Sequence, residues 1–305
     1  MGEVVAGARG ADGTRLHVEV DGPANASDSG VTVVLAHGWT LDARSWGPVT
    51  ARLVGGASAP RVVRFDHRGH GRSAAVDPES MTLEQLADDL AEVIGQVAPE
   101  GPLVLGGHSM GGMTVMALAE RHPELVARRV AGVALVATAS GGTTEQFLGL
   151  APRGLAAVQR AERRLYASRW WTRRELLSKR PAMLNPGMRW LLLGPGVERE
   201  ALRITSECVA ACRPATLSGF RPTLEAHERD AALAAFATIR TTVLVGSRDR
   251  LTPVRAARRI STALPSASLT IFPEAGHMLP VERVAGVTAR LDVLVRSAMV
   301  GAGTP

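Results

Sequence analysis

Short runs of β-branched and aliphatic residues recur along this chain, and most of them are followed by a stretch with helical periodicity. The clearest runs are VTVVLAH (31–37), RVVRFDH (61–67), VAGVALVAT (130–138), IRTTVLVG (239–246) and ASLTIF (267–272). Continuous apolar runs of this length are typical of strands that are buried on both faces, as in parallel sheets. The sequence therefore predicts an α/β fold with a mostly parallel central sheet and helices on both faces.

The alternation of strand and helix patterns stops between about Ala139 and about Asp230. This stretch is helical in character, has no convincing strand pattern, and contains the clusters RWW and MRWLLLG. We therefore predict a sheet domain formed by residues 1–138 and 233–305, with residues 139–232 as a helical insertion.

The stretch LVLGGHSMGGMTVMALAE (103–120) places Ser109 between glycines, after a strand-like run and before a helix-like pattern. The frame Gly107-His108-Ser109-Met110-Gly111 fits G-x-S-x-G, in which a tight strand-to-helix turn lifts the serine hydroxyl clear of the backbone. Glycine is needed beside that serine because the strained turn leaves no room for a Cβ atom. The motif and its setting favour a nucleophilic serine over an ordinary turn serine.

A serine hydroxyl needs a base to take its proton and a third group to orient that base. Asp249 follows the run that ends at 246, and His277 stands in the loop after the next strand-like run. Catalytic groups of open α/β sheets gather beyond the carboxyl ends of the strands. Two alternatives stay open here: Asp249 as a cap for the helix that starts near Thr252, and Asp66 as the acid, because it also follows a strand.

Four motifs in this order resemble those of the α/β-hydrolases. They are HGW (37–39), DHRGHGRS (66–73), GHSMGG (107–112), and the pair GSRDRLTP (246–253) with AGHMLP (275–280). The resemblance covers almost the whole chain except 139–232, where this family carries a helical cap. It implies that Ser109 is the nucleophile, His277 the general base and acid, and Asp249 the orienting carboxylate.

The resemblance also implies an oxyanion hole made by the backbone N–H groups of Trp39 and Met110. The Trp39 indole is in addition a candidate for the pocket wall. His37 is expected to organise the oxyanion loop, and Asp66 with the arginines of DHRGHGRS to brace the loop after a strand. His108 is expected to point away from the nucleophile. A serine at position 109 argues against the dehalogenase and epoxide-hydrolase branches, which form an ester on a carboxylate.

Bulky apolar residues of the insertion are candidates for substrate binding, above all Trp170, Trp171 and Trp190. The alternative is that most of them only pack the insertion onto the sheet domain. The arginines Arg163, Arg164, Arg173 and Arg174 are expected on a solvated face, with contact to an anionic substrate tail as the alternative.

The composition restricts the remaining classes of function. The formal charge of +6 comes almost entirely from arginines, with Lys179 as the sole lysine, which indicates coding bias more than a nucleic-acid surface. Cys208 and Cys212 have no neighbouring histidine or third cysteine, so no metal site is expected. No nucleotide loop or flavin motif accompanies the serine, so no cofactor is expected. The N-terminus lacks a secretion signal and no apolar run is long enough for a transmembrane segment, so we expect a cytoplasmic protein.

The sequence therefore predicts a cofactor-free serine hydrolase that cleaves a carboxylic ester or thioester of a small, largely apolar substrate through an acyl-enzyme on Ser109. The same catalytic residues would also serve an acyltransferase, a C–C hydrolase or a cyclising enzyme of secondary metabolism. A third hypothesis is a small-molecule receptor with little turnover.

Overall fold

The protein is described from a computed structural model at residues 3–23, 30–142 and 180–302. Eight strands of the described part form one sheet in the order β1-β2-β4-β3-β5-β6-β7-β8. They are β1 (Glu3–Arg9), β2 (Arg15–Asp21), β3 (Thr32–Ala36), β4 (Arg61–Phe65), β5 (Leu103–His108), β6 (Val130–Val136), β7 (Arg240–Gly246) and β8 (Ser268–Phe272).

The sheet is mostly parallel, as the alternating sequence pattern predicts. Only β1 with β2 and β2 with β4 pair antiparallel, and every pair from β4 to β8 is parallel. In β3 all five residues are buried, because helices cover both faces of the sheet at this position. The carboxyl ends of β3 to β8 therefore lie along one edge, and the loops that leave them can share a site.

Helices follow the strands in the pattern of an α/β fold. The described α-helices are α1 (Gly47–Val54), α2 (Leu83–Val97), α3 (Met110–Arg121), α4 (Pro123–Arg129), α5 (Asn185–Leu191), α6 (Arg199–Ala211), α7 (Pro214–Gly219), α8 (Arg221–Glu225), α9 (Val254–Ala263), α10 (Leu279–Glu282) and α11 (Val284–Ala302). Helix α2 is capped at its start by Thr82, whose hydroxyl accepts the Gln85 N–H at 3.1 Å.

Alternate residues of each central strand face opposite layers of the core. In β3, Val34 and Ala36 join the apolar cluster that packs against α2 and α3. Val33 and Leu35 join the opposite cluster, which includes residues of α1 and α11. Burial on both faces explains why these strands have continuous apolar sequences, since no side chain of such a strand meets solvent.

The chain from the end of β6 to the start of β7 is here named the β6–β7 connection (137–239). Its described residues, 137–142 and 180–239, include α5 to α8 and contain no strand. Its two ends meet, since His227 Nε2 donates to the Ala139 carbonyl at 2.9 Å and the Arg229 N–H donates to the Ser140 carbonyl at 2.6 Å. Within the described ranges, every helix is too short or too polar to cross a membrane.

Candidate active site

Three of the predicted site residues lie at the same edge of the sheet. Ser109 directly follows β5, Asp249 follows β7, and His277 stands in the loop between β8 and α10. These strands run parallel and are separated by β6 only, in the order β5-β6-β7-β8. The fold therefore brings residues that are far apart in sequence to neighbouring loops.

Ser109 occupies a strained turn between β5 and α3. Its φ of 52° and ψ of −118° lie in a region that non-glycine residues rarely adopt. The turn is fixed from both sides, because the Ser109 N–H donates to the Val136 carbonyl at 2.9 Å and the Thr138 hydroxyl donates to the Ser109 carbonyl at 2.7 Å. The residue itself is only half-buried, so its side chain is accessible to a reactant.

The glycines beside Ser109 allow the backbone to fold back on itself. A Cβ atom at Gly107 would lie 2.5 Å from the Gly111 carbonyl oxygen, and one at Gly112 would lie 2.7 Å from the Thr138 Cβ. Real Cβ atoms do not approach other atoms this closely. The glycine-rich sequence is thus a packing requirement of the turn that presents Ser109.

The two carboxylate oxygens of Asp249 have different partners. Oδ2 lies 2.9 Å from His277 Nδ1 and accepts the Thr252 hydroxyl at 2.9 Å. Oδ1 accepts the backbone N–H groups of Leu251 and Thr252, both at 2.9 Å. Asp249 does not cap α9, whose N-cap residue is Pro253. It fixes the turn before α9 instead, with the oxygen that does not contact His277.

His277 is also held by the residue that precedes Ser109. His108 Nε2 lies 2.9 Å from the His277 carbonyl oxygen, which can only accept, so this ring nitrogen carries the hydrogen. Burial lowers the pKa of His108 to about 3, so its ring is neutral near pH 7. The sequence predicts only that this side chain points away from the nucleophile, and no local pattern reveals its contact with a residue 169 positions away.

The loop of the HGW motif packs against the serine turn. A Cβ atom at Gly38 would lie 3.2 Å from the Ser109 Cβ and 2.9 Å from His108 Nδ1. The next residue, Trp39, is therefore beside the turn that carries Ser109. No hydrogen bond from the backbone N–H of Trp39 or of Met110 is found among the described residues.

Three buried histidines fix the backbone of this loop. His37 Nδ1 donates to the Gly38 carbonyl at 2.8 Å, and His37 Nε2 accepts the His67 N–H at 3.0 Å. His67 Nε2 donates to the His37 carbonyl at 3.1 Å, and His70 Nε2 accepts the Thr40 N–H at 3.4 Å. Burial lowers the pKa of all three rings, that of His70 to about 3. Neutral rings can accept as well as donate, which these contacts require.

Asp66 lies in the same region but serves a different loop. Its two oxygens accept the Ala43 N–H at 2.7 Å and the Arg72 N–H at 2.8 Å. Both are backbone donors near the carboxyl ends of β3 and β4. The structure thus places Asp66 as a brace between loops, whereas Asp249 contacts His277.

Of the predicted substrate-binding residues of the insertion, Trp190 is described. Its side chain is 59% exposed at the end of α5, and the guanidinium carbon of Arg250 lies 4.7 Å from the centre of its ring. Arg250 directly follows Asp249, so this contact links α5 to the loop that holds the carboxylate. Trp170 and Trp171, with the arginines of 163–174, lie outside the described residues.

Comparisons with known proteins agree with this architecture. The sequence profile of the Alpha/beta hydrolase family matches residues 33–290. A pimeloyl-(acyl-carrier protein) methyl ester esterase of Aromatoleum aromaticum is 32% identical over 254 residues, which are 80% of this chain and 90% of the esterase. A monoacylglycerol lipase of Mycolicibacterium smegmatis is 36% identical over 117 residues, and the match spans only 40% of that lipase.

Solved structures show the same fold. An esterase of Exiguobacterium antarcticum superposes with a TM-score of 0.76 and 21% identity, over 97% of this chain and 100% of the esterase. The family profile covers the sheet domain from β3 into α11, together with the loops of Ser109, Asp249 and His277. The chain therefore belongs to the alpha/beta hydrolase family of enzymes.

Proposed function

We propose that this protein is a cofactor-free serine hydrolase that cleaves a carboxylic ester or thioester of a small, largely apolar substrate. The observation that carries the proposal is the 2.9 Å contact of His277 Nδ1 with Asp249 Oδ2, at the sheet edge where the strained turn exposes Ser109. The similarity to a methyl ester esterase along 80% of the chain supports ester chemistry.

In the proposed reaction, the Ser109 hydroxyl oxygen attacks the carbonyl carbon of the substrate, and His277 Nε2 takes the hydroxyl proton. The Asp249 carboxylate accepts the Nδ1 hydrogen and so keeps Nε2 free to act as the base. The tetrahedral intermediate collapses when His277 returns the proton to the leaving alcohol or thiol. A water molecule, deprotonated by His277, then attacks the acyl-enzyme and releases the carboxylic acid and Ser109.

The oxyanion of each tetrahedral intermediate would be stabilised by the backbone N–H groups of Trp39 and Met110. Met110 is the first residue of α3, where N–H groups have no partner within the helix. The loop of Trp39 is held rigid by the three neutral histidines described above, so its N–H needs little reorganisation during the reaction. One such donor contributes about 10²- to 10³-fold in rate.

We further propose that residues 139–232 form a cap over this site. Part of the cap would then line the substrate pocket, with Trp190 on α5 as the described candidate. Trp170 and Trp171 stay predictions of the same kind. Trp190 supports the proposal because 59% of its side chain is exposed and it contacts Arg250, the residue after Asp249.

The direct test is covalent labelling of the nucleophile. A fluorophosphonate probe should label the wild type, and Ser109→Ala should abolish both labelling and turnover of p-nitrophenyl acetate. Ser266→Ala is the matched control, because Ser266 is an exposed serine just before the amino end of β8, at the edge of the sheet opposite to Ser109. Labelling that survives Ser109→Ala would remove Ser109 from the mechanism. Labelling without multiple turnover of any ester or thioester would favour the receptor hypothesis.

A further inference from the structure

One carboxylate holds the backbone on both sides of His277. Glu282, in the last turn of α10, accepts the Gly276 N–H at 2.9 Å through Oε2 and the Met278 N–H at 3.0 Å through Oε1. Oε2 also accepts the N–H of Gly194, which belongs to the β6–β7 connection, at 2.7 Å. Three backbone donors from two distant segments thus converge on one side chain.

The same two segments also bind each other directly. The His277 N–H donates to the Leu192 carbonyl at 2.7 Å, and the Met278 N–H lies 3.3 Å from the same oxygen. The backbones are so close that a Cβ atom at Gly276 would lie 2.6 Å from the Leu192 oxygen. A Cβ atom at Gly194 would overlap the Glu274 carbonyl. Glycine at both positions allows the close approach.

We infer that Glu282 is a positioning residue for His277, and that it positions His277 by joining residues 192–194 of the connection to the loop of His277. This inference rests on the proposed role of His277 as the base. His108, at the end of β5, binds the His277 carbonyl, and the connection binds the His277 N–H. The N–H groups of Gly276 and Met278 are bound by Glu282 of α10. The imidazole is oriented by Asp249, and its backbone is oriented by Glu282.

A carboxylate is the side chain that this arrangement requires. It offers two acceptor oxygens and no donor, whereas a glutamine offers one acceptor oxygen and an NH₂ group. In Glu282→Gln the NH₂ group would face either the Met278 N–H or the pair of N–H groups from Gly194 and Gly276. The substitution keeps the shape of the side chain, but its NH₂ group would face a backbone N–H, so two hydrogen-bond donors would face each other.

The test compares Glu282→Gln with Glu274→Gln. Glu274 stands in the same loop and loses the same charge, but its side chain is exposed and pairs only with Arg248 among the described residues. We expect Glu282→Gln to lower kcat by about 10- to 100-fold, since small misplacements of reacting groups have effects of this size. KM should change less than about twofold, because substrate contacts are untouched. Glu274→Gln should leave both constants within about twofold.

Hydrogen exchange tests the three hydrogen bonds of Glu282, here called the Glu282 clamp, independently of the catalytic rate. In a folded Glu282→Gln, the amides of Gly194, Gly276 and Met278 should exchange faster, while those of β5 stay protected. Unchanged kcat, or unchanged exchange at all three amides, overturns the inference. If the variant does not fold, hydrogen exchange of the wild type tests the inference. Protection of all three amides supports the Glu282 clamp, and unprotected amides overturn it. Failure of the proposed function shows separately, as activity or labelling that survives Ser109→Ala.

Discussion

At the scale of single residues, the candidate site depends on carboxylates that each serve several donors. Asp249 fixes its own loop with Oδ1 and His277 with Oδ2, and Asp66 joins two loops that do not include His277. When the two oxygens of a carboxylate have different partners, substitution by asparagine keeps only one of the two acceptors. The two aspartates therefore predict different consequences for the same substitution.

We predict that Asp249→Asn lowers kcat by about 10³- to 10⁴-fold, because the amide would favour the wrong tautomer of His277. The Oδ1 contacts to Leu251 and Thr252 can persist, so the fold should be retained. Asp66→Asn should instead lower the free energy of unfolding by about 1–3 kcal/mol, since one backbone N–H loses its acceptor. Its kcat per folded molecule should stay within a few fold.

Steady-state kinetics with p-nitrophenyl acetate, together with urea unfolding, would distinguish these outcomes. A folded Asp249→Asn with normal kcat, beside a folded Asp66→Asn without activity, would transfer the role of the acid to Asp66.

The sequence predicts those site residues that stand in a local motif, but not those whose role depends on a contact with a residue far away in the chain. Ser109, Asp249 and His277 stand in motifs whose positions after strands could be recognised without a structure. The roles of His108 and Glu282 could not be predicted, because their partners are backbone groups. Any residue can supply a backbone carbonyl or N–H, so the contacts from His108 to His277 and from Glu282 to Gly194 leave no sequence pattern.

At the scale of elements, the sequence predicts the presence and type of the strands better than their ends. The run 31–37 predicts a strand to His37, but β3 ends at Ala36 because His37 turns into the loop and bonds to His67. Residues 43–54 have a helix-like sequence, but the structure begins this segment with a 3₁₀ turn, Ala43–Trp46, before α1. The end of β3 is thus set by a long-range hydrogen bond, whereas the 3₁₀ turn is capped locally by the Asp42 side chain, which accepts the Arg44 N–H.

In the described part of the connection, α5 carries the exposed Trp190. If Trp190 lines the pocket, each added methylene of the acyl chain should contribute about 0.8 kcal/mol, or roughly fourfold in kcat/KM. We predict that kcat/KM for p-nitrophenyl esters rises from acetate to hexanoate, and that Trp190→Ala flattens this rise with little effect on acetate. Assays of the ester series with both proteins would measure it.

Met183→Ala is the matched control for this series, because Met183 is equally exposed, at 65%, on the turn before α5. It should leave the rise with chain length unchanged. A profile that is flat in the wild type, or the same in Trp190→Ala, would show that Trp190 only packs against Arg250.

At the scale of the whole molecule, the alternation of strand and helix patterns predicts the mostly parallel sheet. It does not predict the charge state of the protein. The formal charge of +6 counts histidines as neutral. Burial makes this correct for five of them, since it lowers the pKa of His37, His67, His70, His108 and His227. Their rings hold loops of the site and the two ends of the β6–β7 connection, so their neutrality is a condition of the folded state.

This condition predicts a loss of stability in mild acid. The pKa is about 3 for His70 and His108 and about 4 for His227 in the folded protein, against about 6.5 in an unfolded chain. As the pH falls from 6.5 towards these values, the three histidines bind protons in the unfolded chain but stay neutral in the folded protein. Each of the three then lowers the free energy of unfolding by up to about 1.4 kcal/mol per pH unit.

We therefore expect the free energy of unfolding, measured by urea denaturation, to be at least about 2 kcal/mol lower at pH 5.0 than at pH 7.0. At pH 5.0 most carboxylates of an unfolded chain are still ionised, so the histidines supply most of this difference. His227→Gln should reduce this slope, because its amide can still donate to the Ala139 carbonyl but binds no proton. A free energy of unfolding that is constant from pH 7.0 to 5.0 would mean that these rings are protonated in the folded protein.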